Sequence, residues 1–278
     1  MDLNSNRVNK LIFIILLFLA FTSCEKEVQW TFEPTDKHII VDGLLTNVKK
    51  SHLIRITNSV TELNEVPKPV SGAFVTIYNG DTVQILTEFP ENSGIYKTDS
   101  NYRAVLNKVY SLQILFEGKR YTSIARMVPV TPFNKLSYTY NSNNNMYYID
   151  SVAKNFSSKE SAMYEIIIDW SHLPDYTDLP FTEKRAVLYY YTLKTIDVSQ
   201  VFAPEKETVY FPLGSRILER KFSLAPQHAQ FVRSLLSETE WRGGFFDVTQ
   251  ANVRTNISNG GLGFFGVSTV IRDTLTVR

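Results

Sequence analysis

Three glycines near the C-terminus, Gly261, Gly263 and Gly266, spell G-x-G-x-x-G, the spacing with which a backbone approaches a dinucleotide pyrophosphate. That chemistry needs a strand before the glycines and a helix after them, because the helix N-terminus holds the phosphate. Here the β-branched run Val267-Ser268-Thr269-Val270 follows, and Phe264 and Phe265 crowd the spacer. The pattern therefore reads as a tight turn at the edge of a sheet. The histidines, His38, His52, His172 and His228, lie outside ligand spacing of one another. Only His172 has carboxylates nearby, Asp169, Asp175 and Asp178, a donor set that can hold a divalent cation. Their spacing matches no calcium loop, and a solvated loop is the better account of them. Neither a Gly-x-Ser-x-Gly elbow nor a His-Glu-x-x-His helix occurs. Glu165 and Asp169 share a strand face by even spacing, but no second segment supplies the opposing carboxylate of a glycosidase. The sequence predicts no catalytic residue, metal site or cofactor.

Recognition chemistry is better represented. Eighteen Phe, fifteen Tyr and three Trp cluster at Tyr147-Tyr148, Tyr189-Tyr190-Tyr191 and Phe264-Phe265. Most belong in a core or in cross-strand pairs. Alternation along a strand prevents Tyr189, Tyr190 and Tyr191 from all being buried, and outward tyrosine is enriched at recognition surfaces. The triplet is the candidate binding surface.

One further side chain carries chemistry. Cys24 is the single cysteine and follows Thr22-Ser23 at the end of an eleven-residue apolar run, Leu11 to Phe21. Arg7 and Lys10 precede the run, the charged flank of a secretory signal. A bilayer-spanning helix needs about 20 such residues, so this segment is too short to be one. Small-small-Cys in this position resembles the lipobox of bacterial lipoproteins, with cleavage between Ser23 and Cys24 and lipid on the Cys24 thiol. An ordinary secretory signal with an incidental cysteine is the alternative. Glu25-Lys26-Glu27 resembles a surface-export signal, or is simply a solvated tether. A lone cysteine also excludes an intramolecular disulfide and a thiolate zinc cluster.

The 278 residues carry 29 basic and 28 acidic side chains, and the balance falls to zero once Asp2, Arg7 and Lys10 leave with the signal. A neutral body without basic clusters argues against a nucleic-acid partner. The predicted organisation is a signal at 1–23, a tether at 24–36, a β-sandwich at 37–130 and a β-rich C-terminal domain at 131–278. Between residues 37 and 130, seven short runs alternate apolar and polar positions, with turns at Asn79-Gly80-Asp81 and Glu117-Gly118-Lys119. They predict a seven-stranded sandwich of the immunoglobulin or transthyretin kind. Val128-Pro129-Val130-Thr131-Pro132 reads as an extended connector. Beyond it, Ala162–Trp170, Arg185–Lys194, Thr208–Phe211, Arg216–Phe222 and the tail read as strands. One helix is predicted at 226–238, with Phe231, Val232, Leu235 and Leu236 on its apolar face and Gly243-Gly244 as its stop.

Taken together, His38 to Thr46, Val70 to Ile77, Gly94-Ile95-Tyr96, Asn252 to Ile257 and Gly261 to Gly266 resemble a family. It is the Bacteroidetes-type lipoprotein family catalogued as domain of unknown function 4249. The resemblance covers essentially the whole chain after the signal. It implies a non-enzymatic lipoprotein of the outer membrane, facing the cell exterior and accessory to a TonB-dependent transporter in nutrient uptake. It implies no catalytic or ligand residues. A surface adhesin binding glycans through its β domains is the alternative.

Overall fold

The computed structural model describes residues 37–60, 62, 64–133, 136–243 and 252–278. The expected signal at 1–23, the Cys24 lipidation site, the tether to residue 36, Gly244 and Phe245-Phe246 lie outside the described residues.

Alternating burial sets the strands. The first eight are β1 (Ile39–Thr46), β2 (Leu53–Asn58), β3 (Phe74–Tyr78), β4 (Val83–Ile85), β5 (Thr87–Glu88), β6 (Ile95–Lys97), β7 (Val109–Phe116) and β8 (Lys119–Arg126). There follow β9 (Ser137–Asn141), β10 (Met146–Ser151), β11 (Ala162–Asp169), β12 (Arg185–Thr192), α1 (Val198–Val201), β13 (Tyr210–Phe211) and β14 (Arg216–Ser223). Helix α2 (Pro226–Glu238) precedes the last strands, β15 (Leu262–Ser268) and β16 (Val270–Thr276).

The first sandwich packs a five-stranded sheet, ordered β15-β1-β2-β6-β5, on a four-stranded sheet, ordered β4-β3-β7-β8. Val41, Leu45, Ile54 and Ile56 from one sheet meet Val75, Ile77, Leu112 and Ile114 from the other. Tyr96 is buried among them and satisfies its hydroxyl by donating to the Val70 carbonyl at 2.8 Å and accepting from the Ala73 N–H at 2.9 Å. The sandwich is the one expected, with two strands more than the sequence indicated. The expected arm at 82–88 divides at the buried Leu86, so that β4 pairs with β3 while β5 crosses to β6 in the other sheet. The other addition is β15, which arrives from far along the chain and pairs in parallel with β1, Ile40 opposite Leu262 through Thr46 opposite Ser268.

The second sandwich packs β13-β10-β9 against β12-β11-β14-β16. Strand β11 is central and pairs over its whole length with β12 and β14, Ala162 opposite both Thr192 and Ser223. Its inward residues Tyr164, Ile166 and Ile168 pack with Phe211, Ile217 and Val277. The β9-β10 hairpin fell in a region the sequence left irregular, because its Tyr, Thr and Ser side chains are only half-buried. A one-turn helix, α1, joins the one that was predicted. Asp197 caps it by accepting the Ser199 N–H at 3.2 Å, and four residues are too few to register as a period.

Among the described residues two pieces of chain pass from the first sandwich to the second: the connector, which places the expected boundary at 130 between β8 and β9, and the run through β15 and β16. The connector is pinned: the Val128 carbonyl accepts from the Ser223 hydroxyl at 2.8 Å and the Thr269 hydroxyl at 2.7 Å. Lys221, only 1% exposed, donates to Thr131 Oγ1 at 2.8 Å, to the Pro132 carbonyl at 3.3 Å and to Glu160 Oε1 at 2.6 Å. The second crossing is 262–276 itself, one extended run that leaves the first sandwich as β15 and enters the second as β16. Asparagine side chains replace missing strand neighbours at both of its parts. Asn256 accepts the Phe265 N–H at 3.0 Å and donates to the Phe265 carbonyl at 2.8 Å; Asn47 does the same to Val270, at 2.7 and 3.2 Å.

Helix α2 sits over this junction. Val232 and Leu236 are buried with Leu193, Leu224 and Trp241, and Phe231 packs beside them. Leu235 faces solvent instead, and the helix stops at Glu238, where the Trp241 N–H returns to the Leu236 carbonyl at 2.9 Å, before either expected glycine.

Gly263 has φ of +85°, and a Cβ there would collide with the Val41 backbone. Gly263→Ala is expected to cost about 3 kcal/mol or more in urea unfolding by forcing β15 off β1. Gly118→Ala, at φ +73° but in open space, is the control and is expected to cost about 1 kcal/mol.

Candidate functional site

The glycine triplet is structural. Gly261 closes a turn in which its N–H reaches the Ser258 carbonyl at 3.1 Å, and a Cβ on it would strike Ile257. Gly263 admits the β1 backbone, and Gly266 leaves room for the His228 ring, whose Cε1 would lie 2.8 Å from a Cβ there. That imidazole stacks on Phe264 at 4.8 Å, and Phe231 stacks on the same ring at 4.7 Å. Gly263 and Gly266 lie within β15 itself and β16 follows, so no helix N-terminus stands where it would hold a phosphate. Near His172, Asp169 accepts the Ser171 N–H at 2.8 Å and the imidazole Nε2 lies 3.2 Å from the Gly214 carbonyl. Among the described residues no three His, Cys, Asp or Glu side chains converge as metal ligands.

Strand alternation divides the tyrosine triplet. Tyr189 is exposed and donates to Glu165 Oε1 at 3.3 Å, and the same carboxylate pairs with Arg220 at 2.5 Å. Tyr190 packs into the core of the second sandwich. Tyr191 lies under the α2 cluster, where burial pushes its hydroxyl up to about 12. Of the three, Tyr189 alone is available as an outward contact.

A larger apolar surface lies on the outer face of the β4-β3-β7-β8 sheet. The register aligns Val83, Tyr78, Ser111 and Ile124 across the four strands, with Ile85, Thr76, Gln113 and Thr122 in the next row. Phe74 and Leu115 follow, beside Arg120. The seven apolar or tyrosyl members, from Leu115 at 36% to Ile124 at 63% exposed, include Val109. A half-buried antiparallel sheet ordinarily turns polar residues outward, so seven exposed apolar or tyrosyl side chains around the polar Thr76, Gln113 and Ser111 mark a contact surface. The signal was present in Phe74-Val75-Thr76-Ile77-Tyr78, where both parities are largely apolar although one side suffices for the core. Reading the strand for its buried face passed over it.

These strands, turns and crossings extend over nearly all of the chain that matches a family model. The model, described as a domain of unknown function (DUF4249), covers residues 25–274. The chain belongs to that family. No curated protein matches it.

The DUF4249 chain also buries a carboxyl group that no motif singles out. Glu219, on β14, is 4% exposed, and among the described residues its Oε1 has no hydrogen-bond partner. Burial raises its pKa to about 7, Asp273 opposite adds to the rise, and Lys221 offsets part of it. Glu160 behaves oppositely: burial raises it, but hydrogen bonds from Lys221 and Thr131 prevail and hold it below the usual carboxylate range. No enzyme-like pair results, since the lysine is committed to Glu160 and the connector.

Glu219 ionises near 4.5 when unfolded and near 7 when folded, so the native state loses stability as pH rises through that window. Glu219→Gln removes the ionisation. It is expected to stabilise the DUF4249 chain by about 2 kcal/mol in urea titrations above the folded pKa, and to add little below the unfolded one.

Proposed function

We propose that this protein is a non-enzymatic lipoprotein of the outer membrane, anchored through lipid on Cys24 and facing the cell exterior. In this reading it serves as an accessory to a TonB-dependent transporter in nutrient uptake. The observation that carries it is the group of seven exposed apolar or tyrosyl side chains on the outer face of β3, β4, β7 and β8, which gives the first sandwich a surface suited to a protein partner. The sequence supports the anchor through the apolar run that ends in Thr22-Ser23-Cys24. The resemblance supports the transporter as the partner. The second sandwich then stands free to contact substrate. Adhesion to surface glycans is the competing reading, and the outward Tyr189 beside Glu165 and Arg220 is the observation in its favour.

Two experiments test this. Cys24→Ala is expected to move the protein from the membrane fraction to the soluble one; normal retention of the variant sinks the anchor. Affinity capture of the tagged protein from detergent-solubilised membranes, read by mass spectrometry, is expected to return a stoichiometric TonB-dependent transporter. The double variant Val83→Asp/Ile124→Asp places charge on exposed positions. It is expected to lose that partner while its melting temperature changes little. Recovery of the lipoprotein alone, with retained glycan, favours adhesion.

A further inference from the structure

A groove of about 870 Å³ opens between α2 and the chain that runs from Leu193 through α1. Its floor is apolar, made by Val128, Pro129, Leu193, Leu224 and Ala229. The volume lies in the range of small-molecule sites, about 300–1,000 Å³. The charge around it is one-sided. Its two carboxylates are already committed: Glu160 to Lys221 and Thr131, and Asp197 to Arg233, whose Nε and Nη2 approach Asp197 Oδ2 at 2.8 and 2.6 Å. Lys159, Lys194 and Arg254 also line the groove, and among the described residues none of them is paired with a carboxylate.

Arg254 is more than a loose surface cation. Its backbone N–H donates to Ser234 Oγ at 3.0 Å, and its Nη1 donates to Gln230 Oε1 at 2.9 Å. Two residues on one face of α2 thus hold it in place. A guanidinium has five N–H donors, so one neutral acceptor leaves most of its capacity and all of its charge unanswered. Ser234 is itself fixed, donating to the Phe231 carbonyl at 2.8 Å. A fixed guanidinium and two lysines beside an apolar floor favour a ligand with an anionic head and an apolar body, because the floor supplies burial and the rim supplies charge pairing.

We infer that this groove binds a small amphipathic organic anion, a carboxylate, sulfonate or phosphate carried on an apolar or aromatic body, through Arg254, Lys194 and Lys159. The site needs neither the membrane anchor nor a transporter, so it stands or falls apart from the function proposed above. A nucleic acid is a poor fit, since the chain as a whole carries a net charge of only +1.

Calorimetric titration of the full chain in non-ionic detergent tests the inference, with naphthalene-2-sulfonate as the anionic probe and 2-naphthol as its neutral counterpart. One sulfonate per chain is expected, binding at least about tenfold more tightly than the naphthol and weakening as salt is added. Lys159→Gln/Lys194→Gln/Arg254→Gln is expected to weaken sulfonate binding about tenfold or more while leaving naphthol binding unchanged. Titrating both proteins in the same detergent cancels partition into micelles. Lys194→Glu alone, at an exposed loop position, is expected to act in the same direction and guards against a folding defect in the triple variant. Equal affinity for the two probes, sulfonate binding untouched by the substitutions, or no sulfonate binding at all overturns the inference.

Discussion

The carbonyl of Val128 accepts hydroxyls from Ser223 and Thr269 at the place where the chain twice passes from the first sandwich to the second. Ser223 also exchanges backbone and side-chain hydrogen bonds with Thr269, at 2.9 Å each way. Much of the architecture depends on this knot. It ties the connector at 128–132 to the crossing run at 262–276, and it brings Lys221, Glu160 and the start of α2 into one neighbourhood. Without it, β15 and β16 would be separate edge strands on separate bodies. With it, residues 37–278 cohere as one compact unit, and the helix can rest against both parts through Phe231 on Phe264 and Val232 on Leu193.

Local pattern was enough to find most strands, because alternation of side chains is a local property. Val75 and Ile77, Tyr110, Leu112 and Ile114 are buried as their period of two requires. The turn at Glu117-Gly118 is legible for the same reason, with φ of +47° and +73° at its two central residues. What the pattern could not carry was pairing across distance. Nothing within Leu262–Ser268 indicates that its partner is β1, more than two hundred residues earlier, and a parallel pair needs no short turn to announce it. The candidate surfaces were legible in unequal measure for related reasons. Tyr189, Tyr190 and Tyr191 stand out by residue type, yet which of them faces outward is decided by the sheet's two sides. The groove draws Val128, Lys159, Lys194, Arg233 and Arg254 from five distant segments, so no window of sequence contains it.

The buried ionisable groups divide along the same line between local and distant causes. His52 and His228 are both held neutral by burial, with pKa values lowered to about 4. His52 is placed by a neighbour, with its Nε2 3.0 Å from the Thr46 hydroxyl. His228 is placed by Gly266 and Phe264 from the returning strand. Glu219 and Lys221 lie on the same face of β14, but the lysine finds its counter-charge in Glu160 and leaves the glutamate nearly unpaired. The Lys221 site is specific to one arrangement of the crossing chain, because its charge is answered by Glu160, Thr131 and Pro132 from other segments.

The paired hydrogen bonds from Asn256 to Phe265 and from Asn47 to Val270 have a consequence for how copies of this protein behave together. An outer strand presents unanswered N–H and C=O groups that invite a strand from another molecule. Here a side-chain amide, which carries the same donor and acceptor as a peptide group, already occupies those positions on both halves of the crossing run. On the neighbouring β8, the Ser258 hydroxyl and N–H do likewise for Thr122, at 2.8 and 2.9 Å. At Phe265, Val270 and Thr122 the outward backbone groups are thus already answered from within the chain, which leaves a strand of another copy no hold at those positions.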